Sequence, residues 1–257
     1  MKIGICGCQG RMGQMLCEAV REAGEELAGG TERADHPALN TVLGSGKIVS
    51  NSADLFEVVE GVIDFSCPAN SVENAKIAAK YGKPLVIGTT GLTDEQKSIV
   101  AECAKKTAIV FAPNMSVGVT LLMALAKKTA ELLDPSYDIE IVEMHHRNKV
   151  DAPSGTALGL GNAVADGRKV ALKDVACYDR PGQIGKRPVG EIGFATLRGG
   201  DVVGDHTVIF AGTGERIELT HKASSRAVFA KGAVRALQWL SQQKPGLYNM
   251  ADVLGLN

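Results

Sequence analysis

Hydrophobic and polar positions in the first half of the chain form short apolar runs separated by stretches of helical periodicity. The apolar runs, which predict buried strands, cover residues 2–6, 27–31, 61–66, 84–88 and 108–112. Helical periodicity covers residues 14–23, 68–81 and 94–106, whereas 34–60 is less regular, with a loop at 44–46. Nearly continuous apolar strands alternating with helices are typical of a parallel sheet covered on both faces. The first half therefore predicts a doubly wound α/β domain.

The second half has a different pattern. After a long helical segment at 117–133, strand-like runs occur at 138–143, 192–198, 202–211 and 215–222, with a helix at 157–165 after the first of them. Glycine-rich turns at 199–201 and 212–214 are typical of hairpins. This half predicts an α+β domain with a mixed, largely antiparallel sheet. Residues 167–190 are expected to be a mobile basic loop, and a last helix at 225–243 to pack on the first domain.

Composition narrows the possible partners. The net charge is −1 and only 4% of the residues are aromatic, which disfavours nucleic acid and anionic membrane surfaces as partners. No apolar run reaches transmembrane length, and the sequence starts with a strand-like run instead of a signal peptide. The six cysteines have no spacing typical of zinc or disulfide frameworks. These features predict a cytoplasmic protein that binds a small molecule.

A glycine turn follows the first strand and precedes the first helix. Gly7, Gly10 and Gly13 have the spacing G-x-x-G-x-x-G. In the order strand, glycine turn and helix, such glycines bring the backbone close to a dinucleotide pyrophosphate at the helix N-terminus. Glu32 and Arg33 follow the second strand, where a carboxylate accepts from the ribose 2′-OH of NADH and a guanidinium pairs with the 2′-phosphate of NADPH. An ordinary β–α turn and a solvated charge pair remain the alternatives.

The most reactive stretch is residues 143–157. Glu143, His145, Lys149 and Asp151 lie between the strand at 138–143 and the helix at 157–165, which Ser154 is placed to cap. Backbone N–H groups and the positive end of the helix dipole suit an anionic substrate at such a position.

Three other interpretations of reactive residues stay open. Adjacent strand residues face opposite sides, so His145 and His146 share one cleft only if the strand ends between them. Glu143 and His145 lie on one face, but no third ligand has diagnostic spacing, so we expect no metal. Cys67 follows a strand end and is the candidate for a thiol nucleophile. A protein that only senses a nucleotide would need no acid–base residues in its second domain, so the reactive cluster at 143–156 argues against this alternative.

Motifs along the whole chain resemble those of the 4-hydroxy-tetrahydrodipicolinate reductase (dihydrodipicolinate reductase) family of diaminopimelate and lysine biosynthesis. The most specific is His145-His146-x-x-Lys149-x-Asp151-Ala-Pro-Ser-Gly155-Thr156. The others are Gly7-x-x-Gly10-Arg11-Met12-Gly13, Asp64-Phe65-Ser66, Gly88-Thr89-Thr90-Gly91, Asn114-Met115-Ser116-Val117-Gly118-Val119 and His221-Lys222-Ala223-Ser224-Ser225-Arg226. Met115 stands where phenylalanine is common in the family, and Cys8 where a small residue is usual.

The resemblance implies an NADH- or NADPH-dependent reductase of 4-hydroxy-tetrahydrodipicolinate, acting through dihydrodipicolinate to give tetrahydrodipicolinate. It implies a Rossmann-like dinucleotide-binding domain at 1–115 and 226–257, and a substrate-binding and oligomerisation domain at 116–225. His145 and Lys149 are the implied proton-transfer residues; imidazole and a lysine with a lowered pKa suit this near neutral pH. His146, Gly155 and Thr156 are implied to bind the cyclic dicarboxylate substrate. The implied cofactor-binding residues are Gly7, Cys8, Gln9, Gly10, Arg11, Met12, Glu32, Arg33, Gly88, Thr89, Thr90, Ala112, Pro113, Asn114 and Met115.

The same resemblance implies a homotetramer. The strands at 192–222 carry more apolar residues than one face of a small domain needs, so we expect an apolar face to be left for pairing of subunits. The apolar residues counted for this argument are Val203, Val208, Phe210, Ile217 and Leu219.

Overall fold

The computed structural model describes residues 1–256 and divides into two compact units. Unit 1 contains Met1–Val117 and the stretch that begins at Arg226, and unit 2 contains Gly118–Ser225. Within the described chain, no helix has the combined length and hydropathy needed to cross a membrane.

Unit 1 is built on one eight-stranded sheet. Its strands are β1 (Lys2–Cys6), β2 (Glu26–Thr31), β3 (Val42–Leu43), β4 (Gly46–Val49), β5 (Gly61–Asp64), β6 (Leu85–Ile87), β7 (Ala108–Phe111) and β13 (Gly246–Tyr248). Its helices are α1 (Arg11–Glu22), α2 (Ser52–Val58), α3 (Pro68–Tyr81), α4 (Asp94–Ala104), α8 (Ala227–Leu240) and α9 (Met250–Leu254). The order β13-β7-β6-β5-β1-β2-β4-β3 is parallel except for the β3–β4 pair. The doubly wound parallel sheet is therefore confirmed.

Two hydrophobic clusters cover the two faces of this sheet. On one face, Leu16 of α1 and Leu237 of α8 pack with Ile3 and Ile5 of β1. The cluster on the other face holds residues of α2, α3 and α4, including Phe56, which is 0% exposed. Because the strands are buried on both sides, their sequences are almost continuously apolar.

The irregular stretch at 34–60 contains structure that periodicity did not predict. The two-residue strand β3 and β4 form a hairpin at residues 42–49, and α2 follows directly. Asn51 caps α2 by accepting from the N–H of Ala53 at 3.1 Å. Elements this short span too few residues for a period to be visible. The same reason applies to β13 and α9 at the C-terminal end.

Unit 2 combines a five-stranded sheet with three helices. The strands are β8 (Asp138–His145), β9 (Ala176–Cys177), β10 (Ile192–Arg198), β11 (Gly204–Ala211) and β12 (Arg216–Ala223). The helices are α5 (Val117–Leu132), α6 (Gly155–Gly167) and α7 (Leu172–Val175). The sheet order is β12-β11-β8-β10-β9, with β8 antiparallel to β11 and parallel to β10. The mixed sheet is confirmed.

The hairpin predicted at 199–201 is wrong. β10 and β11 are consecutive in sequence, but they lie on opposite sides of β8, so the glycine turn carries the chain past the end of β8. The second glycine turn, at 212–214, does join the antiparallel pair β11 and β12. A glycine turn in the sequence contains no information on whether an earlier strand, here β8, lies between the two strands that the turn joins.

Two of the apolar residues counted on β11 lie in the core of unit 2. Val208 and Phe210 are 0% exposed and pack in the core with Leu160 and Val164 of α6. They therefore belong to the covered face of the sheet. The open face carries the alternate positions, including Ile209 of β11 and Leu197 of β10, which is 50% exposed.

The segment at 167–190, expected to be a mobile basic loop, is anchored by ion pairs. Arg180 donates to both carboxylate oxygens of Glu140, at 3.0 and 2.9 Å, and also pairs with Glu191. Arg187 pairs with Glu140 at 3.0 Å and with Asp138 at 2.7 Å. These acids lie on β8 and beside β10, so the positive charge of the segment is neutralised locally.

Candidate functional site

The glycine turn of unit 1 is shaped by close backbone approach. Gly7 has a φ of +77°, and a Cβ there would lie 2.8 Å from the carbonyl oxygen of Phe65. A Cβ on Gly13 would overlap the carbonyl oxygen of Gly7. Gly10 is the N-cap of α1 and makes no side-chain capping bond, so the first N–H groups of the helix are open to an anion.

The other residues of the glycine turn differ in the exposure of their side chains. Gln9 and Met12 are half-buried, and Arg11 at the first position of α1 is exposed. Cys8 is only 1% exposed, and burial raises the pKa of its thiol to about 12. Its side chain packs towards Gly30, where a Cβ would lie 2.8 Å from the Cys8 sulfur. The buried thiol of Cys8 is therefore not presented to a ligand.

Glu32 couples the end of β2 to the glycine turn. Its Oε1 accepts from the Gln9 N–H at 2.8 Å, which fixes the carboxylate beside the turn. Arg33 has a 73% exposed side chain and a loose pair with Asp35 at 3.7 Å. Both residues line a cavity of about 420 Å³. The other residues of its wall include Gly7, Gly10, Thr31, His36, Ser66 and Asn70.

The ends of β6 and β7 lie on the other side of β1 from Glu32, as the sheet order requires. Gly88 and Thr89 are buried and Thr90 is exposed; a Cβ on Gly88 would overlap the ring of Phe65. After β7 come buried Ala112 and exposed Pro113. Next, Asn114 accepts from the Ser116 N–H at 2.8 Å, and Met115 is 1% exposed in the core.

These features fit a dinucleotide. The glycine cradle, which Cβ atoms would fill, lies at the middle strand, with the Glu32 cavity to one side and the β6 and β7 ends to the other. This arrangement suits the pyrophosphate at the glycine cradle, the adenosine in the Glu32 cavity and the nicotinamide at the β6 and β7 ends. Ser66, at a strand end but outside the implied cofactor-binding set, is a wall residue of the cavity. Asp64 holds Ser66 by accepting from its N–H at 2.9 Å and from its hydroxyl at 2.5 Å.

The acid–base cluster of unit 2 begins at the end of β8. The strand ends at His145, so His146 lies outside it. The alternation of a strand therefore does not force the two rings to opposite faces. Glu143 and His145 lie on the covered face, 1% and 8% exposed. His145 Nδ1 and a Glu143 carboxylate oxygen are 2.5 Å apart. The imidazole predicted from the motif is therefore paired with a buried carboxylate.

Two residues missed by sequence reasoning complete this cluster. Arg198, the last residue of β10, donates to both oxygens of Glu143 at 2.8 and 2.9 Å. His206 of β11 lies edge-on to His145, with ring centroids 5.0 Å apart, and its Nε2 is 3.0 Å from the Ser154 hydroxyl. Neither residue is near His145 in sequence; the order β11-β8-β10 brings all of them together.

His206 also supplies the third candidate metal ligand that the sequence did not reveal. Ligand atoms of Glu143, His145 and His206 lie within 4.8 Å of one another. However, the Glu143 oxygens already accept four hydrogen bonds: two from Arg198, one from His145 and one from the Ser154 N–H at 3.1 Å. A guanidinium on the carboxylate opposes a second cation there, so this donor set does not fit a metal.

The electrostatics of the cluster keep the carboxylate ionised and the imidazoles neutral near pH 7. Burial raises the pKa of Glu143, but hydrogen bonds from Arg198 and His145 outweigh it and hold the pKa below its usual range. Burial lowers the pKa of His145, with the Glu143 carboxylate opposing the shift. Burial also lowers the pKa of His206 to about 4.

The predicted substrate-binding residues follow β8. Lys149 has a 20% exposed side chain and donates to Asp151 at 2.8 Å. The hydrogen bond from Lys149 lowers the pKa of Asp151, so this acid remains charged beside the ammonium. Ser154 caps α6 by accepting from the Ala157 N–H at 3.1 Å, which places Gly155 and Thr156 in the first turn of the helix. His146 is half-buried, and its N–H donates to Val202 at 2.7 Å.

The candidate thiol nucleophile belongs to unit 1. Cys67 is exposed at the N-cap of α3, on the wall of the cavity in unit 1.

Comparison with known proteins gives matches over the whole chain. A family model described as the N-terminus of dihydrodipicolinate reductase matches residues 1–115, and one described as its C-terminus matches 118–254. The chain is 49% identical to the 4-hydroxy-tetrahydrodipicolinate reductase of Magnetococcus marinus, covering 99% of this chain and 98% of that protein. It is 50% identical to the protein of the same name from Burkholderia lata, covering 100% of both.

Solved structures support the same fold. Dipicolinate-bound dihydrodipicolinate reductase from Paenisporosarcina sp. TG-14 is similar with a TM-score of 0.80 and 24% identity, covering 98% of each chain. The WlbA dehydrogenase of Thermus thermophilus, in complex with NAD and α-ketoglutarate, has a TM-score of 0.56 and 12% identity, covering 96% of each chain.

The space beside His145 gives a first testable prediction. A Cβ on Gly204 of β11 would lie 3.0 Å from His145 Nε2, so a methyl group there presses on the ring atom that faces away from Glu143. We expect Gly204→Ala to lower turnover of the substrate on which these relatives act by about tenfold or more, since misplaced catalytic groups cost this much. Steady-state kinetics and nucleotide titration would measure it.

Gly199→Ala is the matched control, because its Cβ would meet only Met144 Cε at the ordinary contact distance of 3.4 Å. Gly199 also has no positive φ. Equal turnover by the two variants would contradict the steric role of Gly204.

Proposed function

Because this chain belongs to the dihydrodipicolinate reductase family, we propose how its residues carry out the family's reaction. The chain is a pyridine-nucleotide-dependent oxidoreductase that reduces 4-hydroxy-tetrahydrodipicolinate in diaminopimelate and lysine biosynthesis. Unit 1 binds the nucleotide and unit 2 binds the cyclic dicarboxylate substrate. The observation that carries the assignment of roles is the buried Glu143–His145 pair at the end of β8.

The reaction needs two kinds of proton transfer. Elimination removes the hydroxyl from one ring carbon and a proton from its neighbour, and the hydroxyl leaves as water after it accepts a proton. The nicotinamide supplies the hydride for the carbon that carried the hydroxyl. The neighbouring carbon then regains a proton. A neutral imidazole removes and returns this proton, and an ammonium protonates the leaving hydroxyl. We assign the first role to His145 and the second to Lys149.

Substrate binding is assigned to the start of α6 and to His146. The backbone N–H groups of Gly155 and Thr156 lie in the first turn of a helix, where the dipole favours a carboxylate. Gly155 has no neighbour within 4 Å of a Cβ position, so its backbone is open to a ligand. Lys149 and Arg147 add positive charge for a dianionic substrate.

Nucleotide binding is assigned to the glycine turn, to Glu32 and Arg33, and to the ends of β6 and β7. The N–H groups of Gly7–Gly10 donate within the protein, so within the turn Gly7–Met12 the pyrophosphate is assigned to the N–H groups of Arg11 and Met12 at the start of α1. Gly88–Thr90 and Ala112–Met115 line the nicotinamide. Glu32 has one oxygen committed to Gln9 and a second available to the ribose 2′-OH of NADH. Arg33 is free to turn towards the 2′-phosphate of NADPH, because its pair with Asp35 is exposed.

We expect the enzyme to use both nucleotides. Glu32 serves NADH and Arg33 serves NADPH, and exposed charges contribute little individually, so the preference should stay below about a thousandfold, or about 4 kcal/mol. Arg33→Ala should raise KM for NADPH roughly two- to fivefold and leave KM for NADH unchanged. Values of kcat/KM for the two nucleotides would measure both effects.

Arg21→Ala is the control, since it removes an exposed arginine of the same unit from the last turn of α1, away from the cavity. An equal change in KM for both nucleotides in Arg33→Ala would exclude a 2′-phosphate contact.

The assignment of Lys149 is tested by Lys149→Ala. We expect kcat to fall by a factor on the order of 10²–10⁴, the range for loss of a general acid. Nucleotide affinity should not change, because the nucleotide belongs to unit 1. Loss of nucleotide absorbance would report turnover, with substrate generated in situ by the preceding synthase reaction.

Thr156→Val is the comparison variant. It should act mainly on KM, by removing a hydrogen bond worth about 0.5–1.5 kcal/mol. If Lys149→Ala kept full kcat while wild type turned over, Lys149 would be only a surface charge. No turnover by wild type would refute the reductase assignment itself.

We also propose self-association into a homotetramer through the open face of the unit 2 sheet. Helix α6 packs on the opposite face, whereas the open face presents half-buried Val142, Met144 and Ile209 beside Leu197, which is 50% exposed. Exposed apolar area of this kind is typical of subunit interfaces.

Light scattering at micromolar concentration should give four times the 26.9 kDa mass of the chain. We expect Leu197→Asp to reduce this mass, because it puts a charge into the interface. Val42→Asp is the control: Val42 is 75% exposed in unit 1, and its replacement should change nothing. A wild-type monomer would refute the proposal.

A further inference from the structure

The Glu143 carboxylate makes three hydrogen bonds in addition to its contact with His145. Arg198 Nη1 and Nη2 donate to its two oxygens, and the Ser154 N–H donates to Oε1. His145 Nδ1 lies 2.5 Å from Oε2. Since the residue is 1% exposed, these four contacts take the place of water around the charge.

Arg198 is itself fixed in position. Besides its two bonds to Glu143, it donates to the carbonyl oxygens of Leu197 and Asp151, each at 2.7 Å. The guanidinium therefore ties the end of β10 to β8 and to the turn before α6. A bidentate arginine of this kind sets the orientation of the carboxylate plane as well as its charge.

This arrangement determines which nitrogen of His145 carries the proton. An ionised carboxylate only accepts hydrogen bonds, so Nδ1 must be the N–H nitrogen of the neutral ring. Nε2 is then the basic atom. It lies beside Gly204, where the absent side chain leaves the space that a Cβ would take at 3.0 Å.

We propose that Glu143, clamped by Arg198, is a positioning residue for the reduction. It fixes His145 as the Nδ1–H tautomer, so that Nε2 is the atom that takes the proton from the substrate ring and returns it. When Nε2 binds a proton, the same carboxylate stabilises the imidazolium. The proposal rests on the proposed function of His145, but it concerns a property of the protein that can be measured without turnover.

The charged and titratable groups around His145 are consistent with this role. Glu143 faces it from β8, Arg198 from β10 and His206 from β11, and Lys149 faces it from the turn after β8. Burial keeps the pKa of His206 at about 4, so that ring stays neutral and does not compete for the proton. Glu143 is the one negative charge in this set.

The direct test is nitrogen-15 NMR of histidine in the full-length protein, which contains only five histidines. We expect His145 in wild type to show a protonated Nδ1 throughout the titration, with Nε2 changing with pH. In Glu143→Gln the fixed tautomer should be lost, because the amide can donate as well as accept. His145→Gln would identify the signal.

Kinetics supply a second readout. We expect Glu143→Gln to lower kcat by about 10² or more, with KM for the nucleotide unchanged. The carboxylate opposes the lowering of the His145 pKa by burial, so its removal should move the acid limb of the pH profile to lower pH. The direction follows because a weaker base stays neutral further into acid.

Glu140→Gln is the matched control. Glu140 lies on the same strand with a bidentate arginine, Arg180, but on the opposite face and away from the histidines. A merely structural role for Glu143 would give both variants the same outcome: lower stability with an unchanged His145 tautomer. We expect the tautomer to change in Glu143→Gln alone.

If Glu143→Gln fails to fold, the tautomer of His145 in the wild-type protein still tests the proposal. A protonated Nε2 with an unprotonated Nδ1 in neutral His145 would refute it, as would a Glu143→Gln variant with an unchanged tautomer and pH profile. Failure of the reductase assignment looks different: wild type would show the fixed tautomer but no turnover.

Discussion

A carboxylate can remain ionised in the interior only if other groups replace the water it has lost, and this constraint organises unit 2. Burying the Glu143 charge without partners would cost several kcal/mol, so its four donors are needed for the fold as well as for the site. The donors come from β8, β10 and the cap of α6. Satisfying one charge therefore fixes three segments at the end of the sheet, and with them the position of the His145 imidazole.

In unit 1 the corresponding constraint is steric. Gly7 and Gly13 let the turn close on itself and on the carbonyl of Phe65, so the N–H groups of α1 are exposed to a pyrophosphate. Glu32 then bonds the turn from the end of β2. The acid to which we assign the ribose is thus also a support of the turn, so its position matters beyond its charge.

Sequence reasoning succeeded where a local pattern carries the information. The parallel sheet followed from nearly continuous apolar strands that alternate with helices, and the Ser154 cap from its place before a helical run. It failed where the information is in the order of strands: the turn at 199–201 resembles a hairpin although β8 lies between β10 and β11. For the same reason Arg198 and His206 could not be assigned to the His145 cluster. They are 53 and 61 residues from His145 in the chain and meet it only across the sheet.

A comparison of two acids on β8 shows what turns an ion pair into a functional group. Glu140 and Glu143 both accept bidentate bonds from an arginine, but they lie on opposite faces of the strand. The Glu140 side chain is 27% exposed, and its second partner is another arginine, so its charge anchors the segment at 178–191. Glu143 is 1% exposed, and its second partner is an imidazole. In that environment water does not screen the interaction, and the energy of the carboxylate depends on whether the imidazole holds its proton. The same type of ion pair therefore anchors a segment on one face of the strand and is coupled to the protonation of an imidazole on the other.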